Sequence, residues 1–209
     1  MSTRIHPTAI VESGVEIGDG TSVWDNVHLR GPSTIGSTCI IGEKTYVAYG
    51  VLIGDLVKIN AFVYVCTGVT IERGVMIAAG VVFTNDKYPR ATTSDLRGLR
   101  PSEPDDHTLA TVVREGATIG ARAVIGPGLE IGRFAMVGMG SVITSSVPDF
   151  TLVAGQPART LALVCRCGEP FQRVEVSGKV ADADDVACGA CGLRYRVVAG
   201  SVTELTPPG

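Results

Sequence analysis

A chain of 209 residues, 45% hydrophobic yet only 5% aromatic, has the length for one main domain and a small appendage. Its net charge of -3 argues against a nucleic-acid footprint or an anionic-membrane binder. Residues 1–10 lack a basic n-region and an apolar core, no apolar run is long enough to span a bilayer, and six cysteines with four in metal-like spacing suit a reducing compartment, so a cytoplasmic location is expected.

After a lead-in of residues 1–4, the chain counts in sixes. Ile5, Val11, Ile17, Val23, Leu29, Ile35, Ile41, Val47, Ile53, Ile59, Val65, Ile71, Ile77 and Phe83 are all apolar, without a slip in register. Four residues after each comes a smaller residue, from Ala9, Val15 and Thr21 through Ser33, Cys39 and Thr45 to Val81. A period of six fits neither a helix nor simple strand alternation. Each hexad therefore reads as a short strand and a turn, and three hexads close one triangular coil. The leading aliphatic fills the interior, and Gly (as at Gly18, Gly36, Gly42 and Gly54) or a polar residue makes the corner. Coils beginning at residues 5, 23, 41, 59 and 77 stack in parallel and bury one column of branched side chains. Cys39 falls in the small interior column and is expected to be inert packing.

The pattern fails over 84–112 and resumes at Val113, Ile119, Ile125, Ile131, Val137 and Ile143. This is an excursion that re-enters in phase, and such insertions tend to mark the binding face. It carries Lys87, Arg90, Arg97 and Arg100, which favour an anionic ligand, diluted by five acidic residues. Third and sixth hexad positions point outward. One outward column is Ser13, Gly31, Tyr49, Thr67 and Asn85, expected to continue through Ala121 and Met139. Its neighbour is Ile10, His28, Tyr46, Tyr64 and Val82, expected to continue through Thr118 and Met136. An aligned row of exposed aromatic residues reads as a subunit interface, and prisms packed on such a side would form trimers.

Val147–Phe150 ends the repeat, and 153–159 reads as a turn with one cation, Arg159; the prism with its closing turn (148–164) is expected to occupy residues 1–164. From 165 to 209 the character changes. Cys165, Cys167, Cys188 and Cys191 form two close pairs, matching a tetrahedral, structural zinc site in a small ribbon, with strands over Phe171–Ser177 and Leu193–Ala199. The first pair is CxC rather than CxxC. Five basic residues there (Arg166, Arg173, Lys179, Arg194, Arg196) face six acidic ones, which favours bracing or a partner contact over nucleic acid.

The hexads of residues 5–160 resemble the left-handed parallel β-helix of hexapeptide-repeat acyltransferases. The fold expected is thus all-β, a left-handed helix with a protruding loop plus the zinc ribbon. The left hand comes from the resemblance, since general crossover rules favour the other. More narrowly, IHPTAIVESGVEIGDGTSVWDNVHLRG, VVFTNDKYPR, TLATVVREGATIGARAVI and VAGQPAR are similar to nucleotide-sugar N-acetyltransferases, those acting on a 3-amino sugar such as a UDP-linked 3-amino-glucuronate above all. The resemblance implies acetyl-CoA as donor, a homotrimer with sites between adjacent subunits, and a place in surface-polysaccharide or glycoside biosynthesis. It implies Asn85 of the FTN motif beside the reacting amine, and Arg159 near the phosphates of CoA. The pantetheine arm would pass Ala121, Gly138, Met139, Gly140 and Ser141. Arg30, Tyr46, Tyr49, Tyr64 and Arg90 are the candidate substrate contacts, although interface packing also accounts for the tyrosines.

In such a reaction a neutral amine attacks the thioester carbonyl, an oxyanion forms and thiolate leaves. Asn85 cannot be a base, so the proton acceptors open to this chain are Asp86, His28, His107 or the departing sulfur itself. A metal-dependent prism such as the γ-class carbonic anhydrase needs three histidines on one zinc, two of them close in sequence. Only His6, His28 and His107 occur, which excludes it. An O-acetyltransferase, or a non-catalytic scaffold docking a partner through the ribbon, are the alternatives.

Overall fold

In the computed structural model, which describes residues 2–175 and 180–206, every regular element is a strand. The architecture is the expected left-handed parallel β-helix. On its first face, Ile5, Val23, Ile41, Ile59, Ile77, Ile119 and Val137 pair in one parallel row. The second face stacks Val11, Leu29, Val47 and Val65, then Phe83, Ile125 and Ile143. The third stacks Ile17, Ile35, Ile53, Ile71, Val113 and Ile131. No helix among the described residues is long and apolar enough to cross a membrane.

The interior is the column the hexads dictate, continuous from Val23 to Val153. The threonine hydroxyls Thr21 and Thr45 of the small column are satisfied inside it: Thr21 Oγ1 donates to Gly36 O (2.7 Å) and accepts from Cys39 N (3.0 Å), and Thr45 Oγ1 donates to Asn60 O (3.0 Å). The buried Ser33 Oγ, by contrast, has no partner among the described residues. Ile5 and Val11 depart from the expectation. Each lies in the first coil, paired on one side only, and stays 46% and 36% exposed. Ile59 is fully buried in mid-column, so Ile59→Ala is expected to cost about 2–5 kcal/mol. Urea unfolding reads this as a lowered midpoint with an unchanged slope.

The corner glycines do a different job from the one expected. Gly36 and Gly42 are not in the left-handed region; a Cβ on either would lie 2.5 Å and 2.6 Å from the backbone of the next coil. They permit close stacking. The left-handed corner residue comes two positions later and is often not glycine, as at Lys44 (φ 58°), Leu56 (58°) and Phe62 (60°).

The excursion re-enters earlier than expected, because strand Thr111–Val113 pairs with Val69–Ile71. Forty-two residues separate Ile71 from Val113, where eighteen separate Ile53 from Ile71. The same spacing moves the outward columns. Val82 is continued by Val124 on the second face, whereas Thr118 and Met136 follow Met76 on the first. Ala121 and Met139 therefore lie on the corner between the first and second faces. They do not continue the Tyr49–Asn85 column, which runs along the next corner.

The predicted closing turn is a hairpin. Strand Thr151–Gly155 extends the first face, Val137 pairing with Val153, and Ala158–Val164 returns antiparallel to it. Pro170–Arg173 pairs with that return strand. The strand predicted over Phe171–Ser177 ends at Arg173; its last two residues, like Lys179, lie outside the described residues. A separate antiparallel sheet holds Ala183–Ala187, Arg194–Val198 and Ser201–Glu204, of which only the middle strand is legible in the sequence. This C-terminal part closes the prism through a stack of rings: Phe134 on Phe150 (5.3 Å), Phe150 on Tyr195 (5.7 Å) and Tyr195 on Phe171 (4.6 Å). Glu204 clamps it, paired with Arg166 and with Arg133 (3.3 Å).

Candidate functional site

Where the second face turns into the third, the prism and its excursion enclose a cavity of about 290 Å³. From the prism come Arg30, Tyr46, Tyr49, Tyr64, Cys66, Thr67 and Asn85; the loop adds Asp86, Arg90, Arg100, Glu103 and Asp105. The hexad spacing brings the prism residues together, since coil partners stack at eighteen. Tyr46 and Tyr64 lie parallel, 5.3 Å apart. Asn85 stands at the neck of the loop, its own carbonyl accepting from Leu109 N (2.7 Å). Its side-chain Nδ2 donates to Thr67 O (3.1 Å). A backbone carbonyl can only face the nitrogen of an amide, so the side-chain oxygen is left to accept from a ligand.

The charged residues of the cavity differ in what holds them. Arg100 pairs with Asp105 (3.0 Å) and donates to Tyr88 O (3.3 Å). Asp86 accepts from Tyr88 N (2.9 Å). Arg90 donates to the neighbouring Pro89 O and makes no ion pair among the described residues. Arg30 donates from Nε toward Glu12 (3.3 Å), reaches Tyr46 Oη at 3.5 Å and lies over the Tyr49 ring. Burial pushes the Cys66 thiol up to about 11, which leaves it a neutral wall.

Three candidates fall elsewhere. His28 does not line the cavity; its Nε2 is bonded to Glu12 (2.8 Å) and its ring meets Tyr46 edge-on. His107 packs edge-on against Tyr88 outside the lining, and Arg97 is turned to solvent. Glu12, which holds both His28 and Arg30, was not singled out by the sequence. Its only signal is its place one coil above Arg30.

Ala121, Gly138, Met139, Gly140 and Ser141 form the corner on the other side of the second face. Met139 is 83% exposed, whereas Ser141 is fully buried, with Oγ accepting from Gly155 N (3.2 Å) and its carbonyl from Val124 N (2.8 Å), so it offers no group to a ligand at this corner. The hairpin grips this corner again through Gln156 Nε2 to Gly140 O (2.7 Å). Arg159 sits on the return strand of that hairpin, exposed beside Ile143–Pro148. A roomier hollow of about 750 Å³ lies between the hairpin and the C-terminal sheet, lined by none of these residues.

The four cysteines converge. Their Sγ atoms all lie within 4.8 Å of one another, Cys165 to Cys191 at 3.4 Å and Cys167 to Cys188 at 3.7 Å. Tetrahedral Zn–S bonds of about 2.3 Å place sulfurs about 3.8 Å apart, so the set fits the ion despite its CxC pair. Against the desolvation of burial, the N–H groups of Cys191 and Ala190 hold the Cys188 thiol down to about 7. Tyr195, fully buried, bonds Cys165 Sγ at 2.9 Å.

Comparison with known proteins agrees with this architecture. The bacterial transferase hexapeptide (six repeats) model matches residues 15–49 and 50–85, and the hexapeptide repeat of succinyl-transferase matches 111–145, together about half of the chain. The chain belongs to the hexapeptide-repeat transferases. It is 42% identical over 95 residues to dTDP-3-amino-3,6-dideoxy-alpha-D-galactopyranose 3-N-acetyltransferase of Aneurinibacillus thermoaerophilus, covering 46% of this chain and 45% of that one. It is 31% identical over 116 residues to the putative lipopolysaccharide biosynthesis O-acetyl transferase WbbJ of Escherichia coli, covering 53% and 59%. The chain thus spans about half the length of the curated relatives it matches. Among solved structures, the S84T mutant of AntD, an N-acyltransferase from Bacillus cereus in complex with dTDP and coenzyme A, superposes with a TM-score of 0.61 at 19% identity. That match covers 78% of this chain and 94% of that one, and shows a shared fold.

Proposed function

We propose that this protein is an N-acetyltransferase that uses acetyl-CoA to acylate the amine of a nucleotide-linked amino sugar, a 3-amino sugar by its likeness to the Aneurinibacillus enzyme. The observation that carries the reading is Asn85, whose side-chain oxygen is free to accept from an amine inside a cavity of aromatic and charged walls. Tyr46, Tyr49 and Tyr64 offer ring faces to sugar and base, and Asp86 and Glu103 suit the ammonium form in which the amine arrives. Once the ammonium has given one proton to solvent water, the neutral nitrogen bonds to the carbonyl carbon, the C–S bond breaks and a second proton passes from the nitrogen to the departing sulfur. No histidine lines the cavity, which favours an amine over a hydroxyl that would need a stronger base.

The second face lies between the cavity and the Gly138–Gly140 corner, so one prism does not bring amine and thioester together. A second copy packed on the row Ile10, His28, Tyr46, Tyr64 would, and a homotrimer closes such an arrangement three times. Bringing the two reactants into contact can be worth about 7–11 kcal/mol of the barrier. We assign residues 165–209 as a ribbon in which Cys165, Cys167, Cys188 and Cys191 hold a structural zinc. The ion would supply cross-linking of the two cysteine pairs and no step of the reaction.

UDP- and dTDP-linked 3-amino sugars are expected to release CoA thiol from acetyl-CoA, and the matching 3-hydroxy sugars to release none. A thiol-trapping assay reads the result directly. Silence across the amino-sugar panel would favour a scaffold; faster turnover of the hydroxy sugars would favour O-acetylation.

A further inference from the structure

We infer that Arg30 is the seat for an oxyanion of the substrate, and that Glu12 is the positioning residue that aims it; the inference rests on the amino-sugar reading above. Glu12 belongs to the first coil and does not line the cavity. Its carboxylate gathers three groups of the second coil: His28 Nε2 (2.8 Å), Arg30 Nε (3.3 Å) and the Gly31 N–H (3.4 Å). These contacts hold the guanidinium from behind. One terminal nitrogen reaches Tyr46 Oη at 3.5 Å, and the central Cζ of the group lies over the Tyr49 ring, 5.5 Å from its centroid. A guanidinium has five N–H donors, and these contacts leave some of them for the cavity that Arg30 lines.

The other cations of the cavity are placed differently. Asp105 neutralises Arg100, and Arg90 sits exposed on the excursion. Arg30 alone comes from the rigid prism, braced by a carboxylate behind and aromatic rings beside it. Opposite in sign, Asp86 and Glu103 line the same cavity. A cavity with both signs matches a ligand that carries an ammonium and an oxyanion together. That oxyanion is either a phosphate of the nucleotide or a carboxylate on the sugar, and a planar donor fork suits both.

The test is calorimetric binding to the full-length protein, beside initial rates. The probes are a nucleoside diphosphate alone, a nucleotide-linked 3-amino-6-deoxyhexose, a nucleotide-linked 3-amino-hexuronate, and acetyl-CoA. Arg30→Gln is expected to weaken the probe bearing the recognised oxyanion by about ten- to a hundredfold and to leave acetyl-CoA unchanged. Loss with the diphosphate alone identifies the phosphate; loss confined to the hexuronate identifies the sugar carboxylate. Glu12→Gln is expected to raise KM for the amino sugar several-fold with kcat within twofold, and Glu12→Asp to restore part of it. Unchanged affinity for all three nucleotide probes in Arg30→Gln would overturn the seat. A Glu12→Gln protein that loses acetyl-CoA affinity in step with the nucleotide probes would make Glu12 merely structural. If no amino sugar turns over yet Arg30→Gln still weakens the diphosphate, the seat stands and the proposed reaction falls.

Discussion

Replacing Asn85 with alanine is expected to lower kcat about a hundredfold or more, while the thermal midpoint stays within a few degrees. The residue stands at a corner of the prism, outside the buried column, so its truncation removes no core volume. What it removes is a directed acceptor. Nδ2 is tied to Thr67 O, and this bond fixes the side-chain oxygen toward the cavity. Without it the amine can still enter, but its lone pair is no longer held on line with the thioester carbonyl. Misplacement of about 1 Å is enough for a hundredfold loss. Single-turnover kinetics, which isolate the chemical step, should show the defect in full, with KM for the amino sugar changed far less. A rate equal to the parent would remove Asn85 from the reaction. Asn85→Asp should fare poorly as well, because its carboxylate would face the Thr67 carbonyl without a hydrogen between them.

The second large effect is expected at the cysteines. Cys188→Ser should release the metal and lower the first unfolding transition by on the order of 10 °C, as a loss of a few kcal/mol does in a chain of this size. Tyr195, Phe171 and Phe150 stack beneath the cluster, and Glu204 locks the same segment to Arg133 and Arg166. Losing the ion therefore loosens the lid while the parallel rows of the prism persist. Metal content measured on the purified protein should fall from one zinc per chain to none. Acidification should release it too, because thiolates must be protonated to leave. Turnover should survive for the most part, since no ribbon residue among the described ones lines the Asn85 cavity. A parent protein that carries no zinc as purified would defeat the assignment.

The prism was almost wholly legible in the sequence, because a six-residue period leaves few other solutions once fourteen leading positions agree. Two things were not. Counting hexads placed the interior residues correctly beyond the half-open first coil, where Ile5 and Val11 stay exposed, but carried the outward columns of Thr118 and Ala121 onto the wrong corner. The loop adds twenty-four residues to a single coil, and only pairing reveals which face the chain rejoins. Likewise, Gly36 and Gly42 looked like corner residues because glycine is the usual left-handed residue, whereas here non-glycine side chains such as Phe62 tolerate that conformation. At the candidate site, stacking at eighteen brought Tyr46, Tyr64 and Asn85 to one wall. Glu12 stayed invisible because a lone carboxylate has no motif; its meaning is a distance to Arg30.

The excursion also carries a lesson about change over generations. Beneath it, Ile71 meets Val113 and Phe83 meets Ile125 as though the chain had never left. Its base is sewn shut by Asn85 with Leu109 and by Lys87 with His107. A family built this way can lengthen, shorten or exchange that one flap without disturbing a single rung of the ladder. The overhang's share of the cavity wall can thus be revised by editing it, while the share that the prism supplies, Arg30, Tyr46, Tyr49 and Tyr64, is inherited intact.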